Sequence, residues 1–226
     1  MELVRTIVSG DTERASRLVA ASPGLVQERA VLGASREAAA EYFFEEIRHY
    51  LYRGDTALHM AAAGFRWNIA QDLIDRGADC SAKNRRGAEP LHYASDSNTW
   101  NPAAQVATID CLIRAGANPN AIDKSGVAPL HRAVRTRCAA AVQTLLVGGA
   151  DPRLKNKSGS TPLHLAVQNT GRGGSGTPGA IEQQREIILL LLDSGATPKD
   201  KDGQGTCVDQ VVTVDWIRSL LRERSR

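Results

Sequence analysis

The sequence predicts an all-α solenoid built from stacked helix–turn–helix units. Three observations predict it: four segments open alike, the same four segments end alike, and the apolar residues inside each recur at helical spacing. Neither helix of such a unit could bury its apolar face alone. The units must therefore stack on one another to make one continuous core.

The openings of the repeats set the register of the units. They begin at Gly54, Gly87, Gly126 and Gly159, and read GDTALHMAAAG, GAEPLHYASDS, GVAPLHRAVRT and GSTPLHLAVQN. They stand 33, 39 and 33 residues apart, and a weaker opening, GTCVDQVV, begins at Gly205. This spacing predicts full units over 54–86, 87–125, 126–158 and 159–204.

The third unit shows why each repeat is interpreted as two helices. Leu130 and Val134 recur at helical spacing in its first half, and Val142 and Leu145 do so in its second half. Gly149 then stands where the second helix must end in a left-handed residue, a backbone conformation that glycine adopts at low cost. Each unit is thus predicted to contain two short helices with one apolar face each.

A 33-residue period with a TPLH-type opening resembles the ankyrin repeat, which has two antiparallel helices and a β-turn finger in each unit. The resemblance covers residues 54–204 directly and implies a single domain over 1–226. It implies that partners meet the concave surface formed by the fingers and the first helices. It also implies that the motif histidines are structural rather than metal ligands, since they stand a repeat apart without a second ligand type. These histidines are His59, His92, His131 and His164.

The two ends are expected to cap the solenoid. Residues 1–29 are interpreted as a degenerate first unit, with helices near residues 2–9 and 11–20. Residues 205–226 are interpreted as a closing cap with one helix. Its inward side chains are expected to be Trp216, Ile217, Leu220 and Leu221.

The segment 30–53 has no counterpart in the repeat. Its pattern SREAAAEYFFEEIRHYLYR, which begins at 35, predicts an inserted helix. The residues on or near its apolar side are Tyr42, Phe43, Ile47, Tyr50 and Leu51. We expect this helix to stand where the first finger belongs, at one end of the concave surface.

A glycine-rich stretch, NTGRGGSGTPG over 169–179, raises the question of nucleotide binding. Gly171, Gly173 and Gly176 have the spacing GxGxxG, but a predicted helix precedes them where a dinucleotide-binding loop requires a strand. The stretch is therefore placed in a turn between two helices. It is interpreted either as a surface loop or as part of a small-molecule or phosphate site at the inter-helix edge. That site would combine Trp100, Arg137 and Arg172.

Composition limits the classes of function. The net charge of +3 is too small to imply nucleic-acid binding by itself. Nucleic-acid binding through the basic groove is kept as a third alternative, which lacks the array of exposed aromatic residues that base stacking requires. No apolar run approaches the length of about 18 residues that spans a bilayer. The cysteines have no spacing typical of zinc sites or disulfide frameworks, so a cytoplasmic protein with free thiols is expected. The four cysteines are Cys80, Cys111, Cys138 and Cys207.

No catalytic or cofactor motif is apparent, so we expect a monomeric, non-enzymatic module that binds an acidic protein partner through a basic concave surface. Mapping the family's pattern onto this chain assigns the binding residues. Apolar anchors are expected at Met60, Tyr93, Ile122 and Leu165. The basic residues are Lys83, Arg85, Arg86, Lys124, Arg132, Arg135, Lys155 and Lys157.

Overall fold

The computed structural model describes residues 1–96, 100–168 and 177–224, and its helices form two layers. One layer contains α1 (Glu2–Ser9), α3 (Ala57–Ala63), α5 (Pro90–Ala94), α7 (Pro129–Thr136), α9 (Pro162–Ala166) and α11 (Val208–Val211). The other contains α2 (Thr12–Ala21), α4 (Trp67–Asp75), α6 (Pro102–Arg114), α8 (Ala139–Val147), α10 (Pro178–Asp193) and α12 (Asp215–Glu223). Successive helices of the first layer pack together, as do α2, α4, α6, α8 and α10, which confirms the all-α solenoid.

The motif histidines fix the start of each first helix and join it to the next unit. His92 accepts a hydrogen bond at Nδ1 from the backbone N–H of Glu89 (3.1 Å), and its Nε2 donates to the carbonyl of Val127 (3.1 Å). His59 and His131 make the same pair of contacts, to the N–H at their own helix start and to a carbonyl of the following unit. The structural role predicted for these imidazoles is confirmed.

The fingers, which are the turns that precede each first helix, are joined to one another by backbone hydrogen bonds. The N–H of Lys124 donates to the carbonyl of Arg86 (2.9 Å), and the N–H of Lys157 donates to the carbonyl of Ser125 (3.1 Å). Equivalent bonds join Arg85 to Arg53 and Gly203 to Ser158. This ladder holds the finger tips in one row along the edge of the solenoid.

The finger glycines are required by the close spacing of this ladder. Gly126 has a φ of 71°, and a Cβ built on it would lie 2.7 Å from the backbone nitrogen of Lys157. We expect Gly126→Ala to lower the free energy of unfolding by about 2–3 kcal/mol, because the left-handed backbone costs about 1–2 kcal/mol and the clash adds to it. Urea unfolding followed by circular dichroism measures this change.

Gly116 provides the matched control for this substitution. Its φ is 91°, but nothing lies within 4 Å of its built Cβ. Gly116→Ala is therefore expected to cost only the conformational term of about 1 kcal/mol. Equal losses in the two variants would contradict the role assigned to finger spacing.

The segment 30–53 is an extended finger and not the inserted helix that the sequence predicted. A 3₁₀ turn at Ala40–Tyr42 leads into strands β1 (Phe43–Phe44) and β2 (His49–Tyr50), which pair antiparallel. The base of this long finger is closed by the N–H of Ala34, which donates to the carbonyl of Leu51 (2.8 Å).

Side-chain burial explains why a hairpin forms here. Ile47, His49 and Leu51 are buried, whereas Arg48 and Tyr50 between them are more exposed, so alternate side chains from the hairpin turn through β2 face the core. The aromatic residues that the prediction placed on a helix also favour extended backbone. Tertiary packing of alternate residues therefore decides the conformation of this segment.

The C-terminal end contains two helices, α11 and α12, where one was expected. Cys207 begins α11 by donating its N–H to the side-chain oxygen of Gln210 (2.9 Å), so glutamine takes the place of the motif histidine. Ile217 and Leu221 of α12 are buried as predicted. Among the described residues no helix is both long and apolar enough to cross a membrane.

Candidate partner-binding surface

The predicted basic residues of the fingers lie exposed along the finger row. Because the backbone ladder fixes the spacing of the fingers, their side chains are presented from a rigid base. Lys124, Lys155 and Lys157 make no ion pair with any other described residue, whereas Lys83 lies 3.7 Å from Glu89. The exposed set comprises Lys83, Arg85, Arg86, Lys124, Lys155 and Lys157.

The first helices contribute less to this surface than the sequence predicted. Met60 and Tyr93 are buried, with 0% and 2% of their surface exposed, so their assignment as apolar anchors is wrong. Both pack in the continuous core between adjacent units. Leu165 is half-buried. Apolar anchoring from Met60 or Tyr93 is thus not available to a partner.

Arg132 is also buried, and its charge is satisfied within the chain. Its Nη1 lies 2.6 Å from a carboxylate oxygen of Asp96, and its Nη2 lies 3.0 Å from one of Asp123. Burial by itself would raise the pKa of Asp123, but backbone N–H donors and the Arg132 guanidinium hold that pKa below its ordinary value. The prediction that Arg132 meets a partner is therefore wrong. Arg135, in contrast, has an exposed side chain, and its Nη2 lies 3.6 Å from a carboxylate oxygen of Asp96.

A buried polar network lies behind the finger row at the first unit. Asp55 accepts hydrogen bonds from Asn84 (2.8 Å), from the hydroxyl of Tyr93 (3.0 Å) and from the N–H of Tyr52 (2.6 Å). Burial raises the pKa of Asp55 to about 6, although these donors act in the opposite direction. The network explains why Tyr93 points inward, since its hydroxyl has a partner there.

The long finger is held against the second finger by two of the predicted binding residues. Arg85 donates from Nη2 to the carbonyl of Ala34 (2.5 Å). The guanidinium groups of Arg85 and Arg86 also lie over the ring of Tyr52, with 5.6 and 5.0 Å to its centroid. Such cation–π contacts orient an arginine without neutralising its charge.

The long finger covers a polar cavity of about 400 Å³ at the concave side of the second and third units, which we call the hairpin pocket. Sequence reasoning missed this pocket because it treated 30–53 as a helix. The alternation of Ile47, His49 and Leu51 with Arg48 and Tyr50 in the sequence was the available signal. The charged and aromatic side chains that line the pocket are Arg48, His49, Tyr50, Tyr52, Arg86, Tyr93, Asp96, Asp123, Arg132 and Arg135.

The alternative ligand edge is only partly described. Trp100 is exposed, but Arg137 donates to the side chain of Gln184 (2.9 Å) and to the carbonyl of Gln168 (3.1 Å). Arg137 adopts a left-handed backbone with a φ of 60°, which helps it to join two units at this turn. Arg172 and the glycines at 171, 173 and 176 lie outside the described residues. Arg137 thus has a structural task that competes with ligand binding.

Comparison with known proteins agrees with this architecture. A family model described as "Ankyrin repeat" matches residues 53–85, 86–124 and 158–203, and a second, described as "Ankyrin repeats (many copies)", matches residues 112–166. Together these matches extend over most of the solenoid.

Three similar proteins share a part of this chain. It is 37% identical over 92 residues to the Tyrosine-protein kinase Shark of Drosophila melanogaster, covering 40% of this chain and 9% of that protein. It is 44% identical over 82 residues to an Ankyrin repeat and LEM domain-containing protein 1 homolog of Caenorhabditis elegans, covering 36% of this chain and 10% of that protein. It is 35% identical over 91 residues to the Neurogenic locus Notch protein of Drosophila melanogaster, covering 40% of this chain and 3% of that protein. The matches span a tenth or less of those proteins, and the family matches show that this chain belongs to the ankyrin repeat family.

Proposed function

We propose that this protein is a non-enzymatic interaction module that binds an acidic segment of another protein along its finger row. Ankyrin repeats are generally protein–protein interaction modules, which supports the binding role. The observation that carries the proposal is the row of six exposed lysines and arginines held on a hydrogen-bonded ladder. Among the described residues, only Lys83 of these six lies within 4.0 Å of a carboxylate. A rigid base lowers the entropy lost when the surface meets its partner.

The burial of Met60 and Tyr93 changes the expected character of the interaction. Without these apolar anchors, charge contributes a larger share of the affinity, and complementary charge also speeds encounter. The affinity should therefore fall strongly as salt concentration rises. We propose the cytoplasm as the site of action and a monomer as the unbound state. The burial of the thiols of Cys111 and Cys138 suits a reducing compartment.

Charge reversal on the fingers tests the proposal. We expect the triple variant Lys124→Glu, Lys155→Glu, Lys157→Glu to bind a fluorescein-labelled peptide of alternating glutamate and glycine at least about tenfold more weakly, a loss of about 1.4 kcal/mol. Fluorescence anisotropy at low and at high salt measures the affinity.

The control places the same change of charge on the opposite layer. Arg17, Arg114 and Arg185 are exposed on α2, α6 and α10, so their reversal to glutamate alters net charge equally. We expect only a small loss in this variant, because exposed charges far from the peptide are screened. Equal losses in both triple variants would show a response to net charge alone and would refute the finger row as the binding surface.

A further inference from the structure

The hairpin pocket has an excess of positive charge. Its volume of about 400 Å³ is within the range of small-ligand sites, and four arginines line it against two aspartates. The long finger supplies Arg48 together with Tyr50 and Tyr52, while the second finger and α7 supply Arg86 and Arg135. The extra length of the first finger thus contributes four of the residues that line this cavity.

The positive charges of the pocket differ in how far they are satisfied. Arg132 forms ion pairs with both carboxylates of the pocket, those of Asp96 and Asp123. Arg135 is left with a longer contact of 3.6 Å to an aspartate that already pairs with Arg132. In the described part of the chain, neither Arg48 nor Arg86 has an ion-pair partner within 4.0 Å, and the Arg86 guanidinium is oriented by the Tyr52 ring.

Oriented arginines without carboxylate partners are suited to oxyanions. The planar guanidinium presents paired N–H donors that match the two oxygens of a carboxylate or phosphate. The hydroxyls of Tyr50 and Tyr52 are further neutral donors at the same pocket. Burial lowers the pKa of His49, so its imidazole adds no charge to the pocket near neutral pH.

We propose that the hairpin pocket binds an oxyanion group, a carboxylate or a phosphate, on a side chain of the acidic segment that docks along the finger row. The inference rests on the proposed function and adds an anchor point to it. Arg86, on the second finger, and Arg135, on α7, hold the oxyanion, and the tyrosines contact the body of the side chain. The pocket thereby sets where the segment begins along the row.

Two small probes test the pocket without a partner protein. Phenyl phosphate and phenylacetate carry the two oxyanions on the same aromatic ring, and titration is followed by amide chemical shifts in NMR. We expect saturable shifts at Tyr52, Arg86 and Arg135. In the variant Arg86→Ala, Arg135→Ala both probes should bind at least about tenfold more weakly, because two charge-assisted hydrogen bonds are removed.

The matched control removes two charges from the opposite layer of helices. Arg114→Ala, Arg185→Ala changes the net charge equally, outside the pocket lining, and should leave probe binding within about twofold. Arg86→Lys keeps the charge but not the planar donor pair, and it should bind with intermediate affinity. The amide spectrum of each variant confirms that it is folded.

The outcomes separate the pocket from the proposed function. Preference for phenyl phosphate would assign a phosphorylated side chain, and equal binding would assign a glutamate or aspartate. Absence of saturable binding, or the same loss in both double variants, would overturn the pocket while leaving the finger row testable by its peptide. A different result would retain the pocket and refute the proposed function. In that case the probes would bind in the pocket, but reversing the charge of the three finger lysines would leave the peptide affinity unchanged.

Discussion

Arg132→Met is expected to lower the free energy of unfolding by about 3 kcal/mol, since removal of one partner leaves buried carboxylates uncompensated. The guanidinium joins Asp96, which follows α5, to Asp123 on the third finger, and all three side chains are at most 15% exposed. Methionine keeps an unbranched side chain and replaces the donors with apolar atoms. Urea unfolding followed by circular dichroism measures the loss.

Two comparisons separate the buried charges from general packing. Arg135 has a 65% exposed side chain near the same Asp96, so Arg135→Met is expected to cost less than about 1 kcal/mol. Adding Asp96→Asn and Asp123→Asn to Arg132→Met should recover much of the loss, because the uncompensated charges are then gone. A loss for Arg132→Met no greater than that for Arg135→Met would show that the buried ion pairs do not stabilise the junction between units.

The helical repeats were predictable because each unit solves the same packing problem with the same residues. The opening at Gly126, the apolar positions Leu130 and Leu145, and the closing Gly149 recur in register with their equivalents. The long finger was not predictable in the same way, since it occurs once. Phe43, Ile47 and Leu51 recur every four residues, as on one face of a helix, whereas Ile47, His49 and Leu51 recur every two residues, as on one face of a strand. Only tertiary packing decides which of these two conformations forms.

The predicted site was right about exposure on the fingers and wrong about three residues of the first helices. Finger tips lie at the edge of a stack, so repeat register alone places Lys124 and Lys157 in solvent. Met60, Tyr93 and Arg132 lie where a neighbouring unit or the long finger covers them. Tyr93 and Arg132 are held by residues distant in sequence, Asp55 and Asp96 respectively, whose role the repeat pattern does not reveal.

The same buried polar groups make stability depend on pH. Burial lowers the pKa of His59 to about 3 and that of His92 to about 4, from an ordinary value of 6.5. These imidazoles stay neutral in the folded chain at pH 5 but are protonated in the unfolded chain, so acidification favours unfolding. Asp55 acts in the opposite direction, because its pKa of about 6 lets the folded chain bind a proton at a higher pH than the unfolded chain does. Acidification through that range therefore favours the folded state at this residue. We expect the free energy of unfolding to fall by about 2–3 kcal/mol between pH 7 and pH 5.

The fifth repeat opening has glutamine, Gln210, where the others have the motif histidine. This natural difference suggests how to isolate the contribution of a histidine to the pH dependence of stability. Gln210 accepts the backbone N–H at the start of α11 as His92 does at the start of α5, and its amide does not titrate. His92→Gln should therefore retain the helix start while reducing the pH-dependent loss by about 2 kcal/mol. Asp55→Asn removes the opposing proton uptake and should increase the loss by about 1 kcal/mol. Parallel stability profiles for His92→Gln and the unsubstituted protein would contradict this account. Divergent profiles would mean that a histidine needed for stacking also limits the protein to near-neutral pH.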